Sequence, residues 1–178
     1  MNFEKNVRRA ADVFAKDWAF FITAGVIVCV LGTFTLGILM FPLAVGLGAA
    51  FLKAEKGRKP EYKDLFIYIH IWFKMAVMVL LILILVSFGF GLLVIPGLLL
   101  SALWLYSGFA MAMGKNGIID SMKASWKIVS KKGLWEHVLM LFVLGFINTA
   151  ASAFVFGLLI TLPLTTGFLA MSFTEKSK

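Results

Sequence analysis

Three long stretches of this chain contain no charged residue and no histidine: Trp18–Leu52 (35 residues), Met75–Gly114 (40) and Val138–Thr174 (37). Ionisable side chains inside a bilayer mark proton relays, ion-coupled carriers and intramembrane metal sites. The runs offer no residues for any of these. The single cysteine, Cys29, excludes an intrachain disulfide and a thiolate cluster. Set in an apolar run, it reads as a small hydrophobe. The only histidines are His70 and His137. No ligand spacing joins them to Asp64, Asp120 or Glu136, so neither metal nor cofactor is expected. No RNP-like, zinc-finger or helix-turn-helix pattern occurs, so nucleic acid is not an expected partner. The 178 residues leave no room for a separate soluble catalytic module beside the apolar runs, and the chain is not expected to be an enzyme.

What is present is apolar surface. The chain is 61% hydrophobic, with a mean hydropathy of +0.97. Only 15% is charged, against about a quarter in soluble domains. The net charge is +8. In so apolar a chain this points to the anionic face of a bilayer. The first run is too long for a signal-peptide core and is expected to act as a retained anchor.

As continuous helices the runs would be about 52–60 Å long. About 20 residues cross the hydrocarbon core, so each run is roughly twice a span. Breakers lie near each centre: Gly37 and Pro42 in LGILMFPLAVG, Gly91 and Pro96 in GLLVIPGLLL, Gly157 and Pro163 in GLLITLPLTTG. A turn near each Gly, with Pro early in the returning helix, makes three helical hairpins. Three long kinked helices are the alternative.

The cations separate the two. Lys and Arg form four clusters, at residues 5–16, 53–74, 115–132 and 176–178. Six helices put all four clusters on one side. Three helices would set nine cations against eight, which the positive-inside rule disfavours. The expectation is therefore an all-α, multi-pass protein of the cytoplasmic (inner) membrane, with six short transmembrane helices and both termini cytoplasmic. The return limbs Pro42–Leu52 and Pro163–Thr174 are short and must extend into lysine-bearing segments, whose side chains snorkel to the interface.

Each hairpin follows a charged segment ending near tryptophan. In the first, Phe3, Val7, Ala10, Phe14 and Trp18 share a helical face opposite Lys5, Arg8, Asp12 and Lys16. The second, EYKDLFIYIHIWFK, is less cleanly amphipathic. In the third, Ile118, Met122, Trp126 and Val129 oppose Asp120, Lys123, Lys127 and Lys131. Such spacing predicts helices lying in the interface. The chain reads as one membrane domain, 1–178, with a loose threefold repeat of units at about 1–55, 56–115 and 116–178. Asp64 and Asp120 read as caps or first-turn acids.

Tryptophan beside Lys or Arg is the composition that meets anionic head groups. The candidate lipid-contacting residues are Arg8, Arg9, Lys16, Trp18, Lys63, Trp72, Lys74, Lys123, Trp126, Lys127, Lys131 and Trp135. Membrane Ser and Thr, among them Thr33, Ser107 and Thr165, read first as backbone-bonded or helix-gluing groups.

Four stretches together carry a family resemblance: LGILMFPLAVGLGAAFLKAEKGRKPEYKDLF, GLLVIPGLLLSALWLYS, GIIDSMKASWKIV and GLLITLPLTTGFLAMSF. They resemble a broad prokaryotic group of polytopic membrane proteins of uncharacterised function. That group is similar to the membrane domain fused to some glycerophosphodiester phosphodiesterases. The likeness covers about residues 31–173 and implies the fold. It carries over no catalytic residue, and the phosphodiesterase activity is not implied. Family members often place an acidic residue before the third interfacial helix, where this chain has Lys115-Asn116.

The leading expectation is a non-enzymatic membrane protein that engages anionic lipid, a partner membrane protein or a second copy of itself. The alternative is a small permease or the substrate-binding membrane subunit of a transporter. A polar cavity at Ser107, Asn148 or Thr165 would favour that alternative.

Overall fold

The computed structural model describes residues 3–114, 117–131, 133–152 and 155–177, and these form helices and turns with no strand. In chain order come α1 (Phe3–Lys16), α2 (Trp18–Phe34), α3 (Met40–Glu55), two 3-10 turns (Tyr62–Phe66 and Ile69–Ile71), α4 (Trp72–Leu92) and α5 (Val94–Leu103). They are followed by α6 (Ser107–Ala112), α7 (Ile118–Lys131), α8 (Leu134–Ser152) and α9 (Val155–Ser177).

Three described stretches are long and apolar enough to cross a membrane: Tyr62–Leu92, Val94–Ala112 and Leu134–Ala151. A fourth is added if α1 and α2, which meet at 97°, are taken as one broken span. Helix length alone does not give six. α2 has 17 residues and α3 has 16, which is about 24–26 Å of helix.

The breakers act in different ways. Gly37 lies in the α2–α3 turn with φ +85°, beside Leu36 at φ +51°. This is the left-handed region that glycine enters without a Cβ penalty. Pro42 and Pro96 are the third residues of α3 and α5, where a missing N–H costs no helical bond. The second turn is not at Gly91, which is the penultimate residue of α4. It is at Leu93, whose backbone is extended. Glycine serves that turn by close approach instead. A Cβ on Gly89 would lie 3.1 Å from the Gly97 backbone.

The third expectation also shifts. α9 already begins at Val155, so Gly157 is its third residue and Pro163 lies inside the helix. A Cβ on Gly157 would meet the Ala151 carbonyl oxygen at 2.5 Å, so this glycine lets α9 leave closely beside α8. Pro163 has no N–H for the carbonyl of Leu159. Gly25 of α2 packs against that step: a Cβ there would lie 3.1 Å from Pro163 Cγ and 3.2 Å from Leu159 O.

Packing divides the chain into two compact units, one of residues 73–144 and one of residues 2–72 with 145–178. In the second unit α3 is central and touches α1, α2, the first 3-10 turn and α9. Its core holds Phe21, Leu43, Leu47, Phe51, Leu65, Phe168 and Met171. Phe21 and Phe51 stack with ring centres 3.9 Å apart. Gly46 admits the 3-10 turn, since a Cβ there would lie 2.2 Å from Leu65 O.

The second amphipathic segment is not an α-helix but the two 3-10 turns. The apolar and polar residues of EYKDLFIYIHIWFK do not segregate at helical spacing, and the turn is pinned by its acids. Asp64 Oδ2 accepts the Glu61 N–H at 2.8 Å, as its capping assignment predicts.

In the first unit Tyr106, Met111, Met122, Val129, His137 and Met140 are buried. α4 buries only Met75, Met78 and Gly89, while Phe73, Leu80, Leu83, Ile84 and Phe88 stand exposed. A helix apolar on nearly every side, and exposed on most, is suited to lipid rather than water.

Candidate functional site

Val94–Ala112 is one apolar stretch broken into α5 and α6 at residues 104–106. Irregular backbone at membrane depth has to be satisfied by protein. α7 supplies the partner. The Ser125 hydroxyl donates to Leu103 O at 2.7 Å and accepts the Tyr106 N–H at 3.1 Å, so one side chain closes both orphaned groups. Ser107 donates its hydroxyl to Trp104 O. Beneath the break, the Tyr106 hydroxyl donates to Met140 Sδ at 3.9 Å, and the Tyr106 ring meets His137 edge-on at 5.7 Å. His137 Nδ1–H donates to Gly133 O at 2.7 Å.

This contact sets the rotation of α7. Its buried stripe is Ser121, Met122, Ser125 and Val129, while Ile119 and Trp126 face outward. Trp126, expected on the apolar face of an interfacial helix, stands exposed. Ser125 is buried because the broken helix offers it backbone partners.

Between α7 and the α4–α5 hairpin runs a groove of about 410 Å³, lined by Leu81, Trp104, Ile119, Met122, Lys123 and Trp126. Leu81 is the tenth of the 21 residues of α4, about 14 Å from one end and 17 Å from the other. Lys123 brings a cation to this groove beside the apolar helix α4. Among the described residues Lys123 has no ion pair.

Two predicted residues, Lys123 and Trp126, meet in this groove. Trp104 joins them, although it was not among the expected lipid contacts: it sits inside an uncharged run. Lys127 and Lys131 are exposed on the same helix, and Trp135 (70% exposed) follows at the start of α8. Lys74 is exposed near the start of α4. In the other unit Lys16, Trp18 and Trp72 are exposed.

Three candidates are paired with carboxylates of the chain. Arg8 Nη2 bonds Glu4 Oε1 at 2.7 Å, one helical turn away. Arg9 pairs with Glu55 and donates to Asn6 Oδ1 at 3.2 Å. Lys63 Nζ lies 2.7 Å from Glu61 Oε2. Lys53 reaches Glu61 at 3.0 Å and Asp64 at 2.9 Å. The bond from Lys63, then that from Lys53, holds the Glu61 carboxyl below its ordinary value. Asn6 is fully buried and donates to Glu175 Oε2 at 2.7 Å. α1 is thus fastened by polar contacts to the ends of α3 and α9. Its buried residues are Asn6, Ala10 and Val13, whereas Val7 and Trp18 are exposed.

Protein-family models, curated proteins and solved structures yield no match to this chain. The chemistry of the site has to come from its own residues. The Ser125 hydroxyl is committed in both directions. His70 Nδ1–H donates to Ile67 O at 2.8 Å. Among the described residues no three His, Cys, Asp or Glu side chains are grouped to hold a metal. Of the hydroxyls suited to a carrier, Ser107 is bonded to its own helix break and Thr165 donates to Leu162 O at 3.1 Å. The groove sets one cation between aromatic and aliphatic walls.

Proposed function

We propose that this chain is a non-enzymatic, multi-pass protein of the cytoplasmic membrane that engages anionic lipid through a tryptophan- and lysine-bearing face. One observation carries the reading. Lys74, Lys123, Lys127, Lys131, Trp126 and Trp135 stand exposed around helices whose outer surfaces are apolar. Exposed tryptophans prefer the headgroup level, and each lysine near an anionic surface adds about 1 kcal/mol of attraction.

In this reading the helix pairs α2/α3, α4/α5 and α8/α9 are three transmembrane hairpins with all four cation clusters on the cytoplasmic side. They form a loose threefold repeat, and the chain is related to the polytopic group it resembles. α1, at 97° to α2, lies across the membrane plane. Short helices suit a locally thinned bilayer.

Lipids retained through gentle purification from native membrane test this. Phosphatidylglycerol or another anionic lipid is expected at several times its bulk fraction. Retained lipid of bulk composition would remove the reading and would leave partner-protein binding to be examined by co-purification.

A further inference from the structure

We propose that the groove between α7 and the α4–α5 hairpin is a discrete site for one anionic phospholipid. Its phosphate would sit on Lys123, and one acyl chain would lie along Leu81, Ile119 and Met122 between Trp104 and Trp126. The proposal rests on the lipid-engaging reading and narrows it from a diffuse basic face to one built site.

The case begins with Lys123. The long uncharged runs hold no ionisable residue, and one lysine lines this groove beside Trp104, Trp126 and an aliphatic wall. Lysine and tryptophan together favour the headgroup level. The carboxylates near other basic residues are already taken: Glu4 by Arg8, Glu55 by Arg9, and Glu61 and Asp64 by lysines of the 53–63 segment. Asp120, one turn before Lys123, is exposed, and no ion pair joins it to Lys123 among the described residues. Lys123 is thus left for an anion from outside the chain. At the headgroup level the membrane supplies one in quantity, the phosphate of a phospholipid, with a chain attached.

The walls fit the rest of such a molecule. Trp126 is half exposed and Ile119 62% exposed, although both lie on the helix that fastens the α5–α6 break. About 410 Å³ accommodates a glycerol–phosphate region and the upper part of one acyl chain. The floor is held in place, because Ser125 of α7 is bonded on both sides of the break.

The test uses the full chain, delipidated in mild detergent, with phosphatidylglycerol or phosphatidylcholine titrated and counted by native mass spectrometry. One tightly held phosphatidylglycerol per chain is expected, with weaker phosphatidylcholine binding. Lys123→Gln should weaken that first site about tenfold, Lys123→Arg should keep it within about threefold, and Lys127→Gln should change it less than twofold. An unchanged melting temperature establishes that the variants fold. Equal losses for Lys123→Gln and Lys127→Gln would overturn the discrete site while leaving the diffuse lipid-engaging face intact. No preference for phosphatidylglycerol in any variant would overturn both.

Discussion

Ser125 contributes to this fold out of proportion to its size. Its hydroxyl is the shared partner of Leu103 O and the Tyr106 N–H. Ser125→Ala would leave both backbone groups buried without a partner, each a penalty of about 1–3 kcal/mol where water cannot enter. A loss of about 2 kcal/mol in reversible detergent unfolding is expected. Thr33→Ala is the matched control. Thr33 Oγ1 donates to Cys29 O at 2.8 Å, a carbonyl of its own helix, and is exposed. That change should stay within about 0.5 kcal/mol. Equal effects would mean that the break does not depend on Ser125. Nothing in the sequence marks Ser125 as the partner of a distant backbone: it is one of several serines in a charged amphipathic segment, as Thr33 is one of several threonines in an apolar run. What distinguishes them is a backbone break 20 residues away along the chain, which only the fold reveals.

At the scale of elements, the amphipathic helices were legible as elements but not in the protein contacts they make. α1 and α7 form where charge and apolar residues alternate at helical spacing. Periodicity put Val7 and Trp126 on the apolar faces, and both stand exposed. It did not single out Asn6 and Ser125, which are buried because each has a partner far along the chain, Glu175 and Leu103. Pro42 and Pro96 could be read because proline's tolerance in a first turn is local physics. Pro163 could not, since its place depends on where α9 begins.

The segment between α3 and α4 makes a pH-dependent prediction. Glu61 accepts from Lys53 and Lys63, and its carboxyl is held below the ordinary value. A carboxyl lowered in the folded state stabilises folding above its unfolded value, about 4.3, and loses that contribution as pH falls through the folded value. Amide protection across residues 61–66 should therefore exceed that of Glu61→Gln at neutral pH. The difference should shrink as pH falls through the folded value and vanish below it. A difference that persists there would show that the lysine bonds do not hold the turn.

For the whole molecule, the open choice is between three hairpins and three long kinked helices, and charge and structure bear on it from different sides. The cation count favours placing all four clusters on one face. The structure adds real turns at residues 35–39 and at Leu93, where helices end rather than bend. Single cysteines in a Cys29→Ser background convert this into a measurement with a membrane-impermeant maleimide on intact cells. Leu36 is 91% exposed and Leu93 68% exposed, so Leu36→Cys and Leu93→Cys should label from outside. Arg58→Cys and Lys127→Cys, placed among the cations, should label only after the membrane is permeabilised. Labelling of Arg58→Cys from outside would put the second cation cluster across the membrane from the first. It would reduce each apolar run to one span and dismantle the hairpin topology. Each outcome is distinct because the two topologies place residue 58 on opposite sides and agree only on residue 127.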